Sequence, residues 1–236
     1  MGDMSVEAGA DAVGIEDVRS ALGRISAHIH RTPVIHSRLL DERAGCEVLF
    51  KCENLQKVGA FKARGALNAV LGLGAADAAR GVATHSSGNH GAALAMAAGV
   101  RGIPAYIVMP TSAPRVKKAA VRAYGGVIVE CESTLAARET TLEQVVAEHG
   151  AHVVHPYDDP RIVAGQGTAA LELLEQVEGI DVVVIPVGGG GLLAGMATVI
   201  KSLAPRSPQV PMTPFVLSGS ATGCRRRTRT LLPTGC

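Results

Sequence analysis

From residue 82 to residue 155 short strand-like runs alternate with helical patterns, and few architectures accommodate that rhythm. Val82-Ala83-Thr84-His85 reads as a strand and 89–98 as a helix closed by Gly99. Ala105-Tyr106-Ile107-Val108-Met109 is a strand, and 114–124 a helix with Pro114 near its first turn. Val127-Ile128-Val129-Glu130 is a strand, 134–149 a long helix, and His152-Val153-Val154-His155 a further strand. Parallel neighbours need a crossover rather than a tight turn, and such crossovers are right-handed. The alternation predicts an α/β fold of parallel sheets with helices on both faces.

The flanks extend the same logic. Residues 15–29 have helical spacing, which Arg31-Thr32-Pro33 ends because proline holds its predecessor out of the helical region. Glu47-Val48-Leu49-Phe50-Lys51-Cys52 reads as a short strand and 61–73 as a helix ending in glycine. Pro156-Tyr157-Asp158-Asp159-Pro160 reads as a break, followed by helix 167–177, strand 181–187 and helix 192–203. We expect a smaller domain over 80–157 and a larger, discontinuous one over 15–79 plus 158–205. Residues 1–14 read as a mobile tail. Beyond Pro205 the chain is first proline-rich, then rich in Ser, Thr, Gly and Arg, including Arg225-Arg226-Arg227. No period survives there outside Phe215-Val216-Leu217, so 206–236 is expected to be an atypical, disordered tail.

Composition narrows the function. Hydrophobic residues make up 47% and aromatic residues 3%, with no Trp, so the core must be aliphatic. A net charge of +2 argues against a nucleic-acid partner, and the three arginines read as a solvated basic stretch. No apolar run reaches the roughly 18 residues of a membrane span. The start lacks a signal-peptide pattern, and five cysteines without a Cys-x-x-Cys pair read as reduced thiols, so a cytoplasmic location is expected. The eight histidines show no metal-ligand spacing, so no metal site is expected.

Three motifs carry chemistry. In Gly59-Ala60-Phe61-Lys62-Ala63-Arg64-Gly65-Ala66 one lysine stands among small residues before a helix. In a tight, partly dry site its amine would become a better nucleophile toward an aldehyde; alone, it reads as exposed. Arg64 reads as a surface or phosphate-side charge. The run Gly188-Gly189-Gly190-Gly191 sits between a strand and a helix. Helix-start N–H groups suit a phosphate, and glycine lets it come close; the bland alternative is a flexible turn. Ser86-Ser87-Gly88-Asn89-His90-Gly91 occupies a strand-to-helix turn, where it could bind a carboxylate or simply cap the helix. His90 could be an acid–base group or a structural residue.

Together these residues resemble the fold-type II pyridoxal-phosphate (PLP) enzymes, whose fold is tryptophan synthase β-like, and most of all the serine/threonine dehydratases and serine racemases. The likeness also draws on Thr32-Pro33, Lys51-Cys52-Glu53-Asn54-Leu55-Gln56, Ala164-Gly165-Gln166-Gly167-Thr168 and Pro186-Val187 before the glycines. It covers about 15–204 in family order. The resemblance implies two parallel-sheet α/β domains with PLP in the cleft between them. Lys62 would carry PLP as a Schiff base, Phe61 would pack on the ring, and Asn89 would bond the ring hydroxyl. Gly188, Gly189, Gly190 and Gly191, with Leu192, would hold the phosphate. Ser86, Ser87, Asn89 and His90 would surround the carboxylate of an amino-acid substrate, with Arg138 nearby. The implied activity is dehydration of L-serine or L-threonine to a 2-keto acid and ammonia. Ser87 stands where family racemases carry an acid–base serine, so serine racemase is the alternative. Family members are expected to be homodimers or homotetramers.

The family continues past this chain's end with another strand, an acidic segment for a divalent metal, and a serine-glycine turn at the pyridine nitrogen. None is recognisable after Pro205. The expectation is a truncated or frame-shifted larger domain whose strand 181–187 lacks a neighbour, and an inactive fragment is a further reading. A nucleotide-binding Rossmann domain is a third.

Overall fold

The computed structural model describes residues 13–205, 209–212 and 221–225. The expected tail 1–14 and the rest of 206–236 lie outside those residues, apart from 13 and 14. In chain order the elements are α1 (Ile15–Ile25), β1 (Val34–His36), α2 (Arg38–Ala44), β2 (Glu47–Lys51), α3 (Lys62–Leu71), α4 (Ala75–Ala79), β3 (Val82–His85), α5 (Asn89–Arg101) and β4 (Ala105–Pro110). There follow α6 (Arg115–Ala123), β5 (Val127–Cys131), α7 (Leu135–His149), β6 (His152–Val153), α8 (Pro160–Gln176), β7 (Val182–Pro186), α9 (Gly191–Leu203), β8 (Gln209–Met212) and β9 (Ala221–Arg225).

The alternating segment forms a four-stranded, all-parallel sheet in the order β5-β4-β3-β6. Side-chain alternation explains why both its faces are covered. Val82, Ala105, Ile107 and Met109 join a core with α3, α5 and Val121 of α6. Ala83 and Val108 face the other way, against Val145 of α7. Alternating strand and helix signals are enough to specify such a layer, because each β-α-β unit buries its own apolar surface as it closes.

The second sheet has the order β1-β2-β9-β7-β8 and is mixed. Only β7 and β8 pair in parallel; β1–β2, β2–β9 and β9–β7 are antiparallel. Parallel pairing throughout was expected from the alternation, but the strands of this sheet come from distant parts of the chain and carry no alternation of their own. The expectation that 206–236 holds no strand is also corrected. β8 runs beside β7, and β9 fills the space between β7 and β2, so β7 has a neighbour on each side. Pro211 argued against a strand. It stands in β8 at the outer end of the sheet, where strands tolerate proline.

Local differences have local causes. α5 continues past Gly99 and stops at Gly102, which takes the left-handed backbone (φ 72°). α8 starts at Pro160, upstream of the expected 167. Asp159 caps it by accepting the Arg161 N–H at 2.8 Å, and Pro160 occupies the first helical position. Cys46 is disulfide-bonded, so the expectation of reduced thiols fails there, while Cys52 and Cys131 are free and buried. Cys46 immediately precedes β2, which pairs with the distant β9, a relation that spacing along the sequence does not disclose.

Two glycine contacts bring the chemistry-bearing segments together. A Cβ on Gly165 of α8 would stand 2.6 Å from the Gly65 Cα of α3. A Cβ on Gly195 of α9 would stand 2.2 Å from the Val163 carbonyl oxygen of α8. Both neighbours of α8 therefore approach to backbone contact. The helix that begins at Lys62 and the helix that begins at the glycine run flank one buried helix.

Candidate active site

Lys62 opens α3 immediately after an unusual turn. Val58 is the only non-glycine residue with positive φ (58°) among the described residues, and Gly59 follows at 69°. A β-branched residue there is strained by about 1–2 kcal/mol and persists only where its surroundings hold it. Gln56 does so: its Oε1 accepts from the His30 and Lys57 backbone N–H groups at 2.9 Å each, and its Nε2 donates to the His30 carbonyl at 2.7 Å.

Behind the turn lies a buried ion network. Arg64 donates two bonds to Glu53 at 2.8 Å each, and others to Glu172 at 2.8 and 2.9 Å. Lys51 donates to Glu172 at 2.7 Å, to Gln176 at 2.8 Å and to the Thr32 carbonyl at 2.8 Å. Arg64 and Lys51 are wholly buried, so Arg64 is neither a surface nor a phosphate-side charge. Two residues along a helix turn a side chain by about 200°, so Arg64 faces α8 while Lys62 faces the cleft. Burial pushes the Glu172 carboxyl up, but the bonds and charges of Arg64 and Lys51 outweigh it and hold Glu172 below its ordinary value.

The cleft is a cavity of about 460 Å³ lined by Gly59, Ala60, Phe61, Lys62, Ser86, Gly88, Asn89, His90, Lys117 and Pro156. Lys62 Nζ donates to the Pro156 carbonyl at 2.6 Å and lies 5.3 Å from the centre of the Phe61 ring. Burial lowers its pKa to about 8. The amine is therefore far more available as a nucleophile near neutrality than an ordinary lysine.

His90 is buried, with Nε2 3.2 Å from the Val154 carbonyl and Nδ1 without a partner among the described residues. Burial, and secondarily the charge of Lys62, push its pKa down to about 3. A neutral ring that donates from Nε2 offers only a lone pair at Nδ1. Of the two readings of His90, proton donor or structural residue, this geometry leaves a fixed acceptor.

Of the residues singled out from the sequence, Phe61, Lys62, Ser86, Asn89 and His90 meet at this cavity. Ser87, on the same turn, is exposed and is not among its lining residues. Arg138, in the first turn of α7, has a buried Nε with no partner among the described residues. It stands near His85, whose pKa is lowered first by burial, then by His155 and, opposed by Glu139, by Arg138. Gly188, Gly189, Gly190, Gly191 and Leu192 do not line the cavity; Tyr157 connects them to it. A Cβ on Gly189 would meet the Tyr157 ring at 2.1 Å, and one on Gly191 the Tyr157 carbonyl oxygen at 2.9 Å. Pro156, which receives the Lys62 ammonium, directly precedes this tyrosine.

Sequence reading missed Lys117, Pro156 and Tyr157. Lys117, on α6, donates to Asn89 Oδ1. Its only sequence signal is a Lys117-Lys118 pair on an amphipathic helix, indistinguishable from a solvated face. Among the described residues no group of His, Cys, Asp or Glu could hold a metal ion, and no helix is long and apolar enough to cross a membrane.

A family model described as pyridoxal-phosphate dependent enzyme matches residues 25–231. A β-hydroxyaspartate dehydratase from Paracoccus denitrificans is 54% identical over 199 residues, covering 84% of this chain and 63% of the relative. A serine racemase from Dictyostelium discoideum is 49% identical over 193 residues, covering 82% of this chain and 60% of the relative. The solved maize serine racemase superposes with a TM-score of 0.84 at 44% identity, covering 85% of this chain and 61% of that one. The processed form of threonine deaminase isoform 2 from Solanum lycopersicum gives 0.78 at 35% identity, with coverage of 86% and 62%. The chain spans about 60% of the length of the curated relatives it matches.

Proposed function

This chain belongs to the family of pyridoxal-phosphate dependent enzymes, and from that premise we propose that its cleft serves dehydration and deamination of a β-hydroxy amino acid, L-serine or L-threonine. The residues present fit the cofactor. Gly188 is exposed, and a Cβ there would meet nothing within 4 Å. Gly190 caps α9 in a left-handed conformation (φ 89°) that suits glycine. The first-turn N–H groups of α9 have no partner further back in the helix, which suits a phosphate. The single observation that carries the reading is Lys62, a half-buried amine with its pKa near 8 on the wall of the cavity.

Lys62 would carry the cofactor, Phe61 pack on its ring, Asn89 bond the ring oxygen, and Gly188 to Leu192 hold the phosphate. Bound there, the cofactor supplies an electron sink for the charge left at the substrate Cα. Ser86 and the first-turn N–H groups of α5 would orient the substrate carboxylate, with Asn89 and His90 on the same cavity wall. Once its amine is free, Lys62 takes the Cα proton. The β-hydroxyl leaves as water with the proton that Lys62 took from Cα; the resulting enamine tautomerises to an imine, which adds water and releases ammonia and a 2-keto acid.

A second reading, serine racemisation, draws on Ser87, which stands exposed on the turn beside Ser86, and on the serine racemases among the relatives. Ser87 would return a proton to Cα from the side opposite Lys62. Ser87→Ala should abolish D-serine formation and spare elimination; unchanged D-serine output removes this reading.

The test is direct. The chain is incubated with PLP, reduced with borohydride and mapped by mass spectrometry. Modification at Lys62, followed by 2-keto acid release from serine or threonine, is the expected result. Absence of a reducible adduct ends the assignment. Nucleotide affinity without an adduct would point to the Rossmann alternative, and an adduct without turnover to a chain that only binds the cofactor.

A further inference from the structure

We propose that Lys117 is a positioning residue that fixes which end of the Asn89 amide faces the cofactor. The inference rests on the reading that the cavity receives a PLP ring whose oxygen meets Asn89.

An amide offers a carbonyl oxygen at one end and an NH2 at the other, and an isolated asparagine can present either. Lys117 Nζ is bonded to the Asn89 side chain. An ammonium has three donors and no acceptor, so only the carbonyl oxygen can face it. Asn89 Oδ1 is thereby engaged, and the end left for a group in the cavity is the Nδ2 donor. Asn89 and Lys117 both line that cavity. They come from different elements, the first residue of α5 and the first turn of α6, so the pairing is a tertiary contact. Lys118, the next residue, is committed elsewhere: it donates to Glu130 at 2.8 Å and to the Thr111 carbonyl at 3.0 Å.

A fixed donor has a definite chemical consequence. A hydrogen bond donated to an oxygen stabilises its deprotonated form. The ring oxygen of a Lys62-bound cofactor shares one proton with the linking nitrogen. An Nδ2 donor at that oxygen would keep the proton on the nitrogen, which would favour the yellow, electron-accepting form. Were Asn89 free to turn its carbonyl inward, the acceptor would favour the proton on oxygen and the colourless near-ultraviolet form. Lys117 would thus act on the cofactor through Asn89.

The experiment uses the full chain loaded with PLP and reads the ratio of the visible to the near-ultraviolet band, together with PLP affinity. Lys117→Met should lower the ratio several-fold and weaken PLP binding about tenfold, the scale of one charge-assisted bond. Lys117→Arg, which also offers only donors, should restore the ratio. Lys118→Met should leave both readouts unchanged. In an Asn89→Ala background, Lys117→Met should have no further effect on the spectrum, which a merely structural tie between α5 and α6 does not predict. If Lys117→Met fails to fold, as judged by circular dichroism, Lys117→Leu, which also removes every donor, is read in the same way. A folded Lys117→Met chain with the parent's spectrum and affinity overturns the inference alone. A parent chain that takes up no PLP at Lys62 overturns the functional reading and this inference with it.

Discussion

Gly65 and Gly165 meet so closely that a Cβ on the second would lie 2.6 Å from the Cα of the first. That contact sets the distance between the helix bearing Lys62 and α8, which packs against the glycine-loop helix on its other side. Gly165→Ala should therefore destabilise the fold by about 1–3 kcal/mol through overpacking, although alanine favours an isolated helix by about 1 kcal/mol. Urea denaturation followed by circular dichroism measures the difference. A more stable variant would show that the helices are free to separate.

The lowered pKa of Lys62 predicts a shifted pH profile for cofactor capture. With a value of about 8, roughly one amine in ten is neutral at pH 7, against about one in three thousand at the ordinary 10.5. The rate of reducible adduct formation should rise with pH and level off above about 8. A rate still climbing steeply through pH 10 would mean that Lys62 is solvated like a surface lysine. Because the native state disfavours the charged lysine, this group's contribution to stability should rise with pH between about 8 and 10.5.

Removing Arg64 would strand two buried carboxylates, Glu53 and Glu172. Arg64→Met should cost about 3–5 kcal/mol, far more than loss of an exposed ion pair such as Arg31–Glu175. Thermal melts of the two variants, Arg64→Met and Arg31→Met, give the comparison. Equal losses would contradict the buried network.

Acid should expose the same network. The Glu172 carboxyl is held below its ordinary 4.5, burial being outweighed by Arg64 and Lys51. A depressed carboxyl contributes stability above its unfolded value and loses it as pH falls through the folded one. The melting temperature should fall steadily below about pH 4.5, and the fall should be shallower in Arg64→Met. Parallel curves for the two proteins would assign the acid sensitivity to other groups.

Gly189→Ala would push a Cβ into the Tyr157 ring, 2.1 Å away. The ring must swing off the glycine loop, and PLP affinity should drop several-fold. Combining it with Tyr157→Ala should recover most of the loss. Additive losses, measured by equilibrium dialysis, would separate the tyrosine from the loop.

Much of the smaller sheet was legible because its signals are local. Val82, Ile107 and Met109 alternate with residues of the opposite face over a few positions, and each crossover helix follows at once. The motif residues Phe61, Lys62, Ser86, Asn89 and His90 each stand in a short contiguous pattern, which is why they could be singled out, and they meet at one cavity. Lys117 and Tyr157 could not be singled out. One sits on a helix that reads as a solvated face, the other in a proline-bounded break. Arg64 was misread because sequence neighbours on a helix point to different surroundings.

Local pattern alone determined the α/β class, the crossover order from 82 to 155, and the presence of an amine motif and a glycine run that suit the same cofactor. Only the tertiary structure decided that Lys62 is half-buried while Arg64 is locked behind it, that Pro156 and Tyr157 join the amine to the glycine loop, and that β9 inserts between β2 and β7. The physical reason is the same in each case. Burial, helix crossing and strand pairing are relations between segments far apart in the chain, and they, rather than residue type, set which groups lose water and which partners they find.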